Sequence, residues 1–428
     1  MRLNISARST CVGGVEIHET FRVVELDAGP SRKYEGSALP AEFTVGSRSV
    51  PFSHEALHEI ETQLAIVIPC MNEDLDVLDG VLHGIPHSCL IIVVSNSTTS
   101  TYEAECSLLT GFCRTTERDG IAVHQRDEGV AKAFHAAGMP EIVVETSRPQ
   151  ARKTALHMRN GKGEAMLMGV AIAKLAGKEF VGFIDADNFV AGSALEYSKA
   201  FAAGLRYAQN RTDRSAYTMV RIKWNSKPKV KDGKLVFETS GRCSRVVNGW
   251  MNGLQEALVG NESQNASIQT ANAGEHAMSM NLAMKLRFAT GYAVEPHQLI
   301  NAWELFGTPS PDAANTSSST KVRVLQIETR SPHFHDSSKG NDHIQRMQFQ
   351  GLSTLYHSEI APQKLKDDLG MFMKHDFPTL VDAKGQPERL RTYPPLETMD
   401  FEEFGSMLNT HAHILWVTQT PTFRSNGA

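Results

Sequence analysis

The sequence predicts an α/β chain on a mostly parallel sheet whose second half turns mixed. Short β-rich runs alternate with helical patterns from about residue 64 to about residue 190, as strand–helix–strand units do. Those runs are apolar from end to end and close on polar residues, the pattern of parallel strands covered on both faces. With 428 residues, the chain can bury a full core without disulfide or metal staples.

Taken in order, the opening segment to about Glu61 alternates like half-buried strands at Val15-Glu-Ile-His18 and Phe21-Arg-Val-Val-Glu-Leu26. Five buried strands are expected next: Leu64–Pro69, Leu90–Ser95, Ile121–His124, Ile142–Glu145 and Phe180–Asp185. Gly163–Leu175 reads as a helix with almost no polar face, so it should pack on the sheet. Tyr217–Trp224 and Val230–Phe237 are β-rich, with Asp232-Gly233 supplying a hairpin turn. Thr308–Thr320 has the composition of an exposed loop, and Asn341–His375 has helical spacing. The expected organisation is a main domain over 1–345, with a nucleotide-sugar half at about 62–190 and an acceptor half at about 191–345, closed by a helical segment over 346–428.

Composition narrows the function. Lys and Arg number 43 against 48 Asp and Glu, net −5, with no basic tail or stripe, so nucleic acid and anionic membranes are poor partners. The longest apolar runs fall far short of the roughly 20 residues that span a bilayer, and the first residues lack an apolar secretory core. Six cysteines without CxxC spacing read as reduced thiols. The expectation is a cytoplasmic protein.

In an open parallel sheet, ligands gather where strands end on their carboxyl side. Here those ends are Pro69-Cys-Met-Asn72-Glu73, Ser95-Asn96-Ser97 and Asp185-Ala186-Asp187. Two carboxylates one residue apart can hold a hard divalent cation and, through it, a diphosphate. A solvated strand end also yields such a pair. Asn160-Gly161-Lys162-Gly163-Glu164 then places a lysine and glycine amides at a helix start. It is not a Walker A loop, because Gly163 follows Lys162 where Ser or Thr would be required.

Five segments carry a resemblance to a known family: Ile66-Val-Ile-Pro-Cys-Met-Asn-Glu73, Gly161-Lys-Gly-Glu164, Phe183-Ile-Asp-Ala-Asp-Asn188, Gly241-Arg-Cys-Ser244 and Arg330-Ser-Pro-His-Phe-His-Asp336 with Lys339-Gly340. The sequence resembles the mannosyl-3-phosphoglycerate synthases, retaining glycosyltransferases of the Rossmann-like GT-A type, from the amino-terminal strands to at least His343. The resemblance implies transfer of mannose from GDP-mannose to 3-phosphoglycerate with a divalent metal, Mg2+ in the first place and Mn2+ or Co2+ as alternatives. It leaves a homodimer open. Carried over, Pro69, Asn72, Glu73, Ser95, Asn96 and Ser97 would cradle the guanosine, while Lys162, Asp185, Ala186 and Asp187 would serve the rest of the donor. Asp187 would be the main metal carboxylate, joined by one imidazole of the Arg330–Asp336 segment, His335 in the first place or else His333. His343 is a further candidate.

A phosphorylated, carboxylated acceptor needs fork-like donors and helix-start amides. Gly241, Arg242, Ser244 and Arg245 suit that need, with Arg242 also counted as catalytic beside Asp187 and Lys162. Glu275 and His276 could line the acceptor cleft or merely order it. No carboxylate announces itself as a nucleophile, which favours a same-face mechanism, and Glu275 is the one most worth testing. Three rival functions remain. A glucosyl-3-phosphoglycerate synthase would share these motifs. A sugar-nucleotide pyrophosphorylase would need a Gly-rich loop where Pro69–Glu73 stands, and a non-catalytic nucleotide-sugar binder would not need this full set of charges. A fused phosphatase finds too little chain after the histidine segment.

Overall fold

The computed structural model describes residues 1–27, 47–148, 153–210, 217–231, 233–238, 241–259, 266–307, 321–334 and 341–418. The runs over 308–320 and 335–340, Asp232 and the side chain of Arg242 lie outside the described residues.

Continuous apolar runs become the middle of one large mixed sheet. From one side its strands are Gly120–His124, Leu90–Ser95, Leu64–Cys70, Phe180–Phe183, His276–Ser279, Tyr217–Lys223 and Val322–Glu328. The first four are mutually parallel, His276–Ser279 runs antiparallel to both neighbours, and Tyr217–Lys223 is parallel to Val322–Glu328. That reversal makes the second half mixed, as expected. The amino-terminal strands Val15–His18 and Phe21–Glu25 extend the sheet beyond Val322–Glu328.

The strand ladders of Leu64–Cys70 and Leu90–Ser95 are buried on both faces, and two apolar cores lie on opposite sides of them. Helix Lys162–Leu175 fills one side and is buried from Gly163 through Ala173, which explains its missing polar face. Helix Ala191–Gln209, burying Tyr197 and Phe201, belongs to the other side.

Two expectations need correction. Ile142–Glu145 is not a strand of the main sheet: Val143–Arg148 instead pairs antiparallel with Lys153–Met158 as a separate two-stranded sheet. A nearby antiparallel partner satisfied its backbone locally, which a period of apolar residues cannot reveal. The division at 345/346 falls inside the continuous helix Asn341–Tyr356. Nor does the remaining chain stand apart. Helix Phe401–His411 packs through Phe404 on Phe134, and Leu415–Val417 joins Gly120–His124 as an edge strand.

Candidate active site

A cleft of about 860 Å³ opens where the parallel strands end. Its floor comes from the first loops. Pro69, Cys70, Met71, Glu73 and Asn96 line it. Asn72, Ser95 and Ser97 do other work. Asn72 has a left-handed backbone (φ 56°), which asparagine tolerates better than most residues. Its N–H donates to Ser97 Oγ at 2.7 Å, its Oδ1 accepts from the Thr98 N–H at 2.9 Å, and Ser97 Oγ donates to the buried Glu105 at 2.6 Å. The Ser97 N–H in turn donates to Ser95 Oγ. These three residues, expected at the guanosine, fasten the two strand-end loops together, and Asn96 bonds across to Asn160.

Lys162 opens its helix and meets two carboxylates, Asp185 Oδ1 at 2.6 Å and Glu295 Oε1 at 2.8 Å. Burial works against its charge, but Asp185 and Glu295 prevail and hold its pKa well above the ordinary value. Glu295 itself is pushed up by burial, with Lys162 opposing; a bonded ammonium at this distance keeps the pair ionic. Glu295 carried no motif in the sequence. Its helix, Val294–Phe306, is set by the buried Arg221, which donates to the carbonyls of Thr270, Ala271 and Glu295 at 2.9–3.0 Å. Gly274 allows the loop to lie on the ion pair: a Cβ there would stand 2.6 Å from Asp185 Oδ2 and 2.8 Å from Lys162 Nζ.

The acidic turn continues through Ala186 and Asp187, both on the cleft. It is tied to the histidine segment, since the Phe189 N–H donates to the Phe334 carbonyl at 2.8 Å and Ser193 Oγ to that of Pro332 at 2.7 Å. Buried Glu196 accepts from the N–H groups of Arg330 and Ser331 at 2.6 and 2.7 Å. Those bonds bring His333 to the cleft that Asp187 lines. His333 stacks on Trp224 with centroids 4.2 Å apart. His335 lies outside the described residues, so Asp187 and His333 are the described members of the expected metal pair. Among the described residues, no group of three or more His, Cys, Asp or Glu is arranged to hold an ion.

Of the segment expected to take the acceptor, Gly241, Cys243 and Ser244 line the cleft at the start of helix Arg242–Val259. The exposed Arg245 is not among the lining residues. Of the two readings open for Glu275 and His276, their burial favours ordering over lining. Both are fully buried; Glu275 accepts from Trp224 Nε1 at 2.9 Å, and the His276 ring meets the Ala273 carbonyl at 2.9 Å. Burial, with Asp185 adding to it, pushes Glu275 up to about 8, and burial holds His276 neutral, well below the usual histidine range. Tyr292, His343, Arg346 and Gln350 complete the lining, with Tyr292 edge-on to His343 at 5.0 Å. Of these the sequence marked His343 alone; only three-dimensional packing shows that Arg346 and Gln350 of the same helix, Asn341–Tyr356, reach the site.

A mixed α/β sheet thus carries at its strand ends a lysine-clamped acidic turn that shares one cleft with the Gly241–Ser244 loop, and comparison with known proteins gives the class, a glycosyltransferase. The family model for mannosyl-3-phosphoglycerate synthase matches residues 5–408. The chain is 36% identical over 408 residues to the mannosyl-3-phosphoglycerate synthase of Pyrococcus furiosus, spanning 94% of this chain and 96% of that protein. It is 29% identical over 411 residues to that of Aeropyrum pernix, spanning 95% and 97%. The chain belongs to the mannosyl-3-phosphoglycerate synthase family. Among solved structures, glucosyl-3-phosphoglycerate synthase from Mycobacterium tuberculosis in complex with Mn2+, UDP-glucose and phosphoglyceric acid aligns with a TM-score of 0.49 at 18% identity, covering 84% of this chain and 99% of that one.

Proposed function

We propose that this chain transfers mannose from GDP-mannose to 3-phosphoglycerate with retention at the anomeric carbon, giving mannosyl-3-phosphoglycerate, in the cytoplasm. One observation carries the reading: the cleft joins Lys162, Asp185 and Asp187 to the Gly241–Ser244 loop in a chain matched along nearly its whole length by that family. None of the six cysteines is in a disulfide, which agrees with a reducing compartment. Among the described residues no helix is long and apolar enough to cross a membrane.

The donor set fits a divalent cation. Asp185 is engaged by Lys162, and the carboxylate of Asp187 and the imidazole of His333, which line the same cleft, would supply oxygen and nitrogen donors. A bound Mg2+, Mn2+ or Co2+ would offset charge on the departing diphosphate. The chain's own residues supply the rest. Lys162 holds Asp185 and Glu295 in fixed positions, so the acidic turn needs little reorganisation during transfer. The helix-start amides near Gly241 and Ser244 favour an anionic acceptor. Glu275 sits behind Trp224 with burial favouring its acid form, which makes it a poor nucleophile and supports a same-face displacement in which the departing diphosphate takes the acceptor proton.

The test is a matrix of sugar nucleotides and acceptors with product mass detection. Mannosyl-3-phosphoglycerate from GDP-mannose is the expected product; product from UDP-glucose alone would replace this assignment with a glucosyltransferase, and binding without turnover would remove the enzymatic reading.

A further inference from the structure

Lys227 begins the hairpin Lys227–Lys231/Lys234–Glu238 and reaches the cleft between the acidic turn and the acceptor loop. Its ammonium lies 4.5 Å from the centre of the Trp224 ring, and its stem runs beside Gly241, whose hypothetical Cβ would be 3.8 Å from Lys227 Cδ. Trp224 is itself immobilised, since His333 stacks on it and its Nε1 donates to Glu275. A lysine on a fixed indole face is held by cation–π attraction without consuming its N–H donors on a carboxylate. No described residue takes up its three N–H donors, which suits them to an incoming anion.

The charge around it makes this unusual. Lys162 is bonded to two carboxylates. Lys227 makes no ion pair with a described residue, although the carboxylates of Glu275, Asp187 and Asp185 act on it from longer range. Burial lowers its pKa against those three carboxylates, whereas the bonded Lys162 moves the other way. A phosphate entering beside Asp185 and Asp187 meets repulsion, and Lys227 is the inner-cleft ammonium whose donors are uncommitted among the described residues.

We propose that Lys227, presented on the Trp224 ring beside Gly241, is a substrate-binding residue that recognises the phosphate of the acceptor. The acceptor is favoured over the donor diphosphate because the lysine stem lies beside Gly241, in the loop expected to take the acceptor, while the ammonium of Lys162 is already held by Asp185 and Glu295. The assignment rests on the transfer reaction proposed above, so the wild-type protein is assayed first with GDP-mannose and 3-phosphoglycerate. Failure of that assay counts against the function, not against Lys227, whose binding arm needs no turnover.

The experiment compares wild type with Lys227→Met and Lys227→Arg. Met keeps most of the aliphatic stem against Trp224 while removing the charge, and intrinsic Trp fluorescence and the urea midpoint verify that the fold is kept. For Lys227→Met, the KM for 3-phosphoglycerate should rise at least tenfold with the KM for GDP-mannose within twofold, and Lys227→Arg should recover part of the loss. Titration calorimetry should show the same weakening for 3-phosphoglycerate and little change for glycerate, which lacks the phosphate. Equal losses with glycerate and 3-phosphoglycerate would overturn the phosphate assignment. So would a rise confined to GDP-mannose, which would move Lys227 to the donor, or unchanged constants for both substrates.

Discussion

At the residue scale, the centre of the site is an ion pair with one cation and two carboxylates. Removing one partner of a buried pair costs about 3–5 kcal/mol, because the remaining charge is left unpaired. Lys162→Met should therefore lower the urea midpoint as well as abolish turnover, and adding Glu295→Gln should recover part of the stability without activity. A single variant of wild-type stability would mean that water already solvates Asp185 and Glu295. Asp187→Ala should leave the fold intact and remove turnover, while chelator should inhibit the wild type reversibly; full activity in excess EDTA would refute the metal reading. His297 supplies a pH dependence. Burial pulls its pKa down to about 4, with Glu304 opposing, whereas an unfolded imidazole titrates near about 6.5. As pH falls through that window the unfolded chain takes up a proton that the native one refuses, so native stability falls by up to about 1.4 kcal/mol per unit. Above the unfolded pKa this loss is absent. His297→Gln should flatten the acid side of a plot of urea midpoint against pH, and an unchanged slope would assign it to other groups.

At the element scale, two junctions set the site. Helix Lys162–Leu175 approaches the Ala289 turn so closely that a Cβ on Gly163 would stand 1.9 Å from the Ala289 carbonyl oxygen. Backbone has to move to admit it. Gly163→Ala should cost about 1–3 kcal/mol, the usual range for overpacking, and reduce turnover because Lys162 is the preceding residue; thermal and urea unfolding would read the first effect and initial rates the second. The other junction is Glu196, whose carboxylate anchors the Arg330–Ser331 backbone from helix Ala191–Gln209. Glu196→Ala strands two N–H groups at about 1–3 kcal/mol. It should loosen His333 from Trp224, with a changed indole emission and a lower turnover. Emission identical to wild type would show that the segment is held by its other bonds.

At the scale of the whole molecule, the carboxyl-terminal part is built onto the parallel half of the sheet. Buried Glu164 accepts from the Tyr393 hydroxyl at 2.6 Å as well as from the Gly291 N–H, so residue 393 braces the same helix that presents Lys162. Phe404 and Leu408 are buried against the core that contains Phe134. Deleting residues from 394 onward should expose that face and give aggregation or a large fall in the unfolding midpoint. Retention of wild-type stability and activity would mean that the last helix and edge strand are dispensable.

How much was legible from the sequence follows from what is local. Apolar runs closing on Pro69, Ser95 and Asp185 located three of the strand ends, because a strand buried on both faces writes itself as a continuous run. The lysine-bearing helix start and the acidic turn were readable for the same reason, each being a few contiguous residues. Glu295, Trp224, Lys227, Arg346 and Gln350 were not, because their positions depend on chain returning from elsewhere, and Glu275 carries the same side chain whether it lines a cleft or hides behind an indole. The sequence by itself determined the strands, the charged motifs and the family. The tertiary structure decided which charges meet, which are buried and which keep free donors, since those depend on distances between segments remote along the chain.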